Sequence, residues 1–137
     1  MIKMIIVYTT KSCESCRNTI AFMALHRIPH IEQNMKYNPM SKREFLQLIA
    51  LTANAKEVVA SNHLQLHEEL IESMRLSELH AWLNADKRRF KRPIIVDFER
   101  GLLQFGFHRE DLFVFMSKRQ RNAYRKTMRL EDYKWYD

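Results

Sequence analysis

No stretch of this chain approaches the roughly 18 uninterrupted apolar residues that a membrane span requires, so no membrane partner is expected. The opening "MIKMIIVYTT" has one lysine and a short apolar run, with neither the length nor the small-residue cleavage site of a secretion signal. It reads as a buried first strand, and a cytoplasmic protein is expected. Glycine is scarce: Gly101 and Gly106 are the two in the chain, placed to turn it on either side of one strand. There is no internal repeat and no low-complexity linker. A single domain over 1–137 is therefore expected, long enough to bury a core without staples. Cysteine is nearly absent as well, and both, Cys13 and Cys16, stand in "TTKSCESCRN" (9–18). In a reducing compartment such a pair is more often reactive than a structural disulfide.

What the chain has in plenty is positive charge. It carries 23 Lys and Arg against 16 Asp and Glu, a formal net charge of +7. A basic surface attracts nucleic acid, acidic protein faces or anionic substrates without choosing among them. Two blocks concentrate the charge. "KRRFKR" (87–92) has five cations in six residues, and "SKRQRNAYRKTMR" (117–129) has six in thirteen. A solvated face is the plain reading of each. Apolar residues make up 46% and charged ones 28%, an ordinary soluble globular balance.

Met4-Ile5-Ile6-Val7-Tyr8 is a continuous apolar run of strand length, as in a central strand covered on both sides. Ser12 is placed to cap a helix running from Cys13 to about Arg27, and Pro29 stops it. His30 to Gln33 alternates like a second strand, which completes a βαβ unit. From about 40 to 90 the pattern is a helical insert. Ser41 and Glu44 form a capping box, and Asn62 and Ser77 are candidate caps for two further helices. Arg92 to Asp97 returns to strand, Leu102 to Phe105 is a fourth strand, and Glu110 to Met116 reads as a helix. A basic tail follows, over about 117–137. The order is that of an α/β, thioredoxin-like fold with a helical insertion and a mixed four-stranded sheet.

The cysteine pair falls at the first strand-to-helix turn. Unpaired backbone N–H groups and partial positive charge there favour thiolate over thiol. Lys11 and Arg17 add cations on either side. A Cys-X-X-Cys at a helix start lowers the first thiol's pKa by about one to five units. Cys13 is then the nucleophile and Cys16, one turn deeper, the resolving partner: oxidation takes Cys13 to sulfenic acid and Cys16 closes a disulfide. Two inert buried thiols, or half of a zinc site completed by His63 and His67, are the competing readings. The gap from Cys16 to His63 is far longer than in compact zinc modules, and no metal is expected. His26, His30, His80 and His108 carry no spacing signal and read as structural. Arg92-Pro93 is the second informative point. In a thioredoxin-like fold the proline opening the third strand faces the cysteine turn, usually after a cis bond. That brings Arg92 close enough to Cys13 to stabilise its thiolate or to bind an anion, whereas an ordinary surface arginine is the plainer alternative.

"YTTKSCESCRNTIAFMALHRIPHIEQN", "ESMRLSELHAWLN" and "KRPIIVD" together resemble the Spx branch of the arsenate-reductase-like (ArsC) family, from Met4 to about Met116. The resemblance implies a redox-responsive transcriptional regulator that binds the C-terminal domain of the RNA polymerase α subunit. It implies a redox switch at Cys13 and Cys16, with Lys11 and Arg92 stabilising a thiolate or anion. Thr10, Ser12, Thr52, Ala55 and Arg92 are the implied docking residues. It also implies a monomer on its own, no cofactor, and promoter DNA contact made only inside the polymerase complex, with the basic tail at Lys118, Arg119, Arg121, Arg125 and Lys126 near phosphates. Two departures stand out. Where the family pattern has a glycine after the first insert helix, this chain reads "TANAKEVV" with Ala55, and where it has an arginine slightly earlier, this chain has Ala50.

The rival is a thiol-dependent arsenate reductase, which needs one thiolate and several arginines to clamp an oxyanion. Cys13 and Arg92 supply one of each. Where the reductase pattern has an arginine before the middle insert helix, this chain offers Asn62. After the fourth strand it has Gly106-Phe107-His108, with Arg109 displaced towards the next helix. Losing two clamps costs orders of magnitude in rate, so a non-enzyme is expected. Independent DNA recognition is not expected either, since no helix-turn-helix or zinc-finger spacing is present.

Overall fold

The computed structural model describes residues 4–127. Arg129 and "LEDYKWYD" at the end of the expected basic tail lie outside the described residues. The apolar opening forms strand β1 (Ile5–Thr9), followed by helix α1 (Glu14–Leu25) and strand β2 (His30–Asn34). The insert contributes α2 (Lys42–Ile49), a 3-10 turn at Ala55–Val58, α3 (Ser61–Ser73), α4 (Leu76–Ala85) and a second 3-10 turn at Lys87–Arg89. Strands β3 (Ile94–Asp97) and β4 (Leu102–Phe105), a 3-10 segment at Asp111–Phe115 and helix α5 (Lys118–Thr127) complete the order.

The sheet order is β2-β1-β3-β4. β1 pairs parallel with β2 and antiparallel with β3, and β3 pairs antiparallel with β4. This is the mixed four-stranded sheet expected from the sequence. The unbroken apolar run of β1 has a simple cause. Successive strand residues point to opposite faces, and both faces here are covered. Ile5 and Val7 join Ile95, Phe22, Met23, Leu112 and Phe115 in a core beneath α1. Tyr8 joins Ile94, Val96, Phe45, Leu48, Leu79 and Leu83 in a second core beneath the insert.

Cap chemistry sets the helix starts, with corrections to the expected caps. At α2 the Ser41 hydroxyl accepts from the Glu44 N–H at 3.0 Å and the Glu44 carboxylate accepts from the Ser41 N–H at 3.1 Å, the box read from the sequence. At α3 the cap is Ala60 rather than Asn62, and at α4 it is Arg75 rather than Ser77. In α4 the Glu78 carboxylate accepts from the Arg75 N–H at 3.0 Å, so an acid at the third position starts the helix without a serine cap. The segment read as a helix from Glu110 to Met116 is instead a 3-10 helix of five residues.

Register decides what lies at each end of the sheet. Tyr8 pairs with Ile94 and Ile6 with Val96, so the start of β3 sits beside the end of β1. The segment before β3 is thereby brought to the cysteine turn, and the start of α5 is left at the opposite end. A hydrogen bond ties α5 there, the Gln120 side-chain N–H donating to the Arg27 carbonyl at 2.9 Å, while the Gln120 N–H donates to the Ser117 hydroxyl at 3.1 Å and caps the helix's own start.

Candidate functional site

The residue that caps α1 is Cys13, not Ser12. Its backbone is extended (φ −121°, ψ 107°), and its sulfur accepts from the Cys16 N–H at 3.2 Å. Ser12 instead takes φ 58° in the left-handed region, where a non-glycine residue is uncommon and mildly strained. That twist lets an extended strand enter a helix within a few residues. It also explains why the serine reading failed: the turn is tighter than the pattern assumed, and the cap falls one residue later. Cys13 and Cys16 are joined by a disulfide, with Cα atoms 5.2 Å apart. Cys13 is 9% exposed and Cys16 3%, so Cys13 is the more accessible residue of the two.

Arg92 reaches this turn from the far side. The Arg92–Pro93 bond is cis, and the Arg92 Nη1 donates to the Thr10 hydroxyl at 2.9 Å. Ser12, Cys13 and Arg92 line one open cleft of about 580 Å³ with Glu14, Ser61 and Lys91. Phe105, Gly106 and His108 form another part of its wall. Lys11 lies exposed on the turn itself.

Sequence reasoning had not placed Lys91, Ser61, Phe105 or His108 in the site. They arrive through pairing that leaves no local signal. The Lys91 N–H donates to the Val58 carbonyl at 2.8 Å and the Ala60 N–H to the Arg89 carbonyl at 2.8 Å. This clips the loop before β3 to the start of α3. The Lys91 ammonium sits 5.4 Å from the centre of the Phe105 ring. His108, read as structural, is exposed and lines the cleft. By contrast His26 is structural: it stacks on Phe22 with ring centres 4.3 Å apart. Burial, with a smaller push from Arg109, lowers its pKa below the usual histidine range.

The remaining docking residues sit apart, on the insert. The Thr52 hydroxyl donates to the Ile49 carbonyl at 2.7 Å, closing the turn after α2. Ala55 begins the 3-10 turn and packs on the core beneath the insert. The positive-φ residues among those described are Ser12, Arg27, Gly101 and Gly106, so nothing at Ala55 calls for glycine's freedom. Ala50 closes α2 with ordinary helical angles and an exposed side chain.

His67 packs edge-on against Trp82 at 5.7 Å, at a break in α3 where its own backbone leaves helical angles. Among the described residues no three His, Cys, Asp or Glu side chains converge on a metal position. No described helix is long and apolar enough to cross a membrane.

The strand order and the cysteine turn define an α/β protein of the thioredoxin-like fold class. An arsenate reductase from Vibrio cholerae superposes with a TM-score of 0.66 over 85% of this chain and all of that one, at 17% identity. A possible arsenate reductase from Streptococcus mutans gives 0.63 over 81% and 98% of the two chains, at 22% identity. The sequence relatives narrow the class. The global transcriptional regulator Spx of Bacillus subtilis is 31% identical over 122 residues, covering 87% of this chain and 92% of that one. That of Streptococcus pneumoniae strain R6 is 28% identical over 130 residues, covering 93% and 96%. The chain belongs to the Spx family. No family model matches it.

Proposed function

We propose that this protein is a cytoplasmic, redox-responsive transcriptional regulator that acts by binding the C-terminal domain of the RNA polymerase α subunit. The observation that carries the reading is the pairing of Cys13 and Cys16 at the rim of a cleft shared with Arg92. In this reading the reduced Cys13 thiolate attacks a peroxide oxygen, forming sulfenic acid and releasing hydroxide. The Cys16 thiolate then displaces a second hydroxide and closes the S–S bond, two electrons having passed to the oxidant. The first turn of α1 with Lys11 and Arg92 stabilises the thiolate. Thr10, Ser12 and Arg92 on one side, and Thr52 with Ala55 on the insert, form the docking residues. Oxidation changes the shape of the turn that carries the first group. The protein alone is a monomer in this reading, uses no cofactor, and is one domain over 1–137.

The reductase reading fits the site less well. Arg92 and Lys91 are the Lys and Arg side chains lining the cleft, while Ala60, Ser61 and Gly106 occupy its other walls. Neither Asn62 nor Arg109 lines it. One arginine and one flexible lysine make a poor clamp for a tetrahedral oxyanion.

The test is capture of the purified C-terminal domain of the polymerase α subunit by reduced protein, peroxide-oxidised protein and Cys16→Ser. Reduced and oxidised forms should differ by several-fold, with Cys16→Ser held at the reduced level under peroxide. Equal capture by all three removes the switch, and capture by none removes the partner. Arsenate turnover lost in Cys13→Ser would instead establish the enzyme.

A further inference from the structure

His108 lines the same cleft as Cys13 and presents an exposed imidazole there. Its backbone is pinned in the loop between β4 and the 3-10 segment. The Gln104 side-chain N–H donates to the Gly106 carbonyl at 3.2 Å and to the His108 carbonyl at 3.3 Å. The His108 carbonyl also accepts from the Asp111 and Leu112 N–H groups at 3.1 and 3.2 Å, which starts the 3-10 segment.

The ring is placed by a missing side chain. Gly106 turns at φ 81°, and a Cβ added to it would stand 3.4 Å from the His108 Nε2. The imidazole therefore rests against the bare face of the glycine. Gly106 in turn is tied to the cis proline, its N–H donating to the Pro93 carbonyl at 2.8 Å. Arg92 precedes that proline and bonds Thr10 in the cysteine turn. A short run of contacts leads from the imidazole to the turn that carries Cys13.

Peroxide oxidation of Cys13 needs a proton in this cleft. As the thiolate attacks, the S–O bond forms, the O–O bond breaks, and the second oxygen departs as hydroxide or alkoxide. Such a group leaves faster when an acid protonates it in the transition state. The protonatable side chains beside Cys13 in the cleft are Glu14, Lys91, Arg92 and His108. A carboxylate ionised at neutral pH has no proton to give, and arginine does not release its own. Lysine, a far weaker acid, transfers its proton less readily near neutrality. Imidazole both carries and releases one in that range.

We propose that His108 is a catalytic residue of the redox switch, the general acid that protonates the oxygen leaving a peroxide as Cys13 is oxidised. The proposal deepens the redox reading of this site and rests on it. Thiolate, peroxide and imidazolium become sulfenic acid, water or alcohol, and neutral imidazole, and solvent then reprotonates the ring.

The experiment uses the full chain, reduced, in a Cys16→Ser background, so that sulfenic acid on Cys13 persists and is trapped with dimedone. Trapping rates at neutral pH, with hydrogen peroxide and with tert-butyl hydroperoxide, are set beside the rate of Cys13 alkylation by iodoacetamide. Iodide leaves without a proton, so alkylation reports on the thiolate alone. His108→Gln should slow oxidation by hydrogen peroxide roughly tenfold, below the usual range for a general acid because water enters an open cleft. The loss should be larger with the alkyl hydroperoxide, whose alkoxide leaves less easily, while alkylation stays nearly as in the parent. His108→Ala should regain oxidation rate as free imidazole is added, which a merely structural role does not allow. Circular dichroism checks that each variant folds. Oxidation and alkylation falling together would show that His108 acts on the thiolate itself, and would overturn the proposal. So would equal oxidation rates in parent and His108→Gln, with the redox reading left standing. A parent that yields no sulfenic acid under either peroxide would instead sink the redox reading, and this proposal with it.

Discussion

The Arg92 guanidinium donates to the Thr10 hydroxyl at 2.9 Å, joining two residues 82 positions apart in the chain. One immediately precedes Pro93 and the other opens the cysteine turn. This bond fixes a positive charge at the cleft that Cys13 lines, which sets the first prediction. In reduced protein, Arg92→Ala should raise the pH at which Cys13 becomes alkylated by about one unit, and slow alkylation near neutrality several-fold. Arg92→Lys should recover part of the loss, since the charge remains but the fixed geometry does not. Iodoacetamide rate profiles against pH measure this, and three superimposable profiles would remove Arg92 from thiolate stabilisation.

Tyr8 and Glu44 tie the sheet to the insert. The buried Tyr8 hydroxyl donates to the Glu44 carboxylate at 2.6 Å, and burial followed by the adjacent carboxylate pushes the phenol pKa well up. Burial raises the Glu44 pKa, but hydrogen bonds from Tyr8 and Ser41 outweigh it and leave the group below its ordinary value. Its folded pKa is therefore depressed. The stabilisation is fully present above the unfolded-state pKa near 4.5 and fades as pH drops through the lower folded value. Tyr8→Phe should cost about 1–2 kcal/mol at pH 7, with the gap to the parent narrowing in acid. Urea titrations at neutral and acid pH test the sign.

Arg100 holds the C-terminal segment against the sheet. It pairs with Asp97 at 2.6 Å and donates to the Phe115 carbonyl at 2.9 Å and the Met116 carbonyl at 3.4 Å. Burial pushes the Asp97 carboxyl up, but Arg100 wins and its pKa lies below the usual range. Arg100→Ala strands a largely buried carboxylate and should cost about 1–3 kcal/mol near neutral pH, less in acid. Hydrogen exchange should accelerate over Asp111–Phe115 before it does over β3. Unchanged exchange there would show that the 3-10 segment stands without this bond.

Ala55 tests how far the family docking pattern carries to this chain. Its backbone is that of a 3-10 turn and its methyl packs on the core. Ala55→Gly should therefore destabilise by about 0.5–1 kcal/mol instead of relieving strain. If the side chain weakens polymerase docking, the same change should improve capture of the polymerase α domain. Capture unchanged in Ala55→Gly would clear the methyl of that role.

The residue pattern alone determined the element order, the cysteine turn at the end of the first strand, and the capping box at Ser41 and Glu44. Each depends on neighbours within a few positions, where alternation, helical spacing and cap chemistry act. It also carried the resemblance to the Spx branch, because the three blocks match by residue type and order. Tertiary structure decided that Cys13 caps α1, that Lys91, Ser61 and His108 share the Cys13 cleft, and that the two basic blocks stand at opposite ends of the sheet. Those outcomes follow from strand register and long-range backbone pairing, such as Lys91 with Val58, for which no local pattern carries information. Periodicity reports which face of an element is buried, and only the packed sheet settles which distant residues meet there.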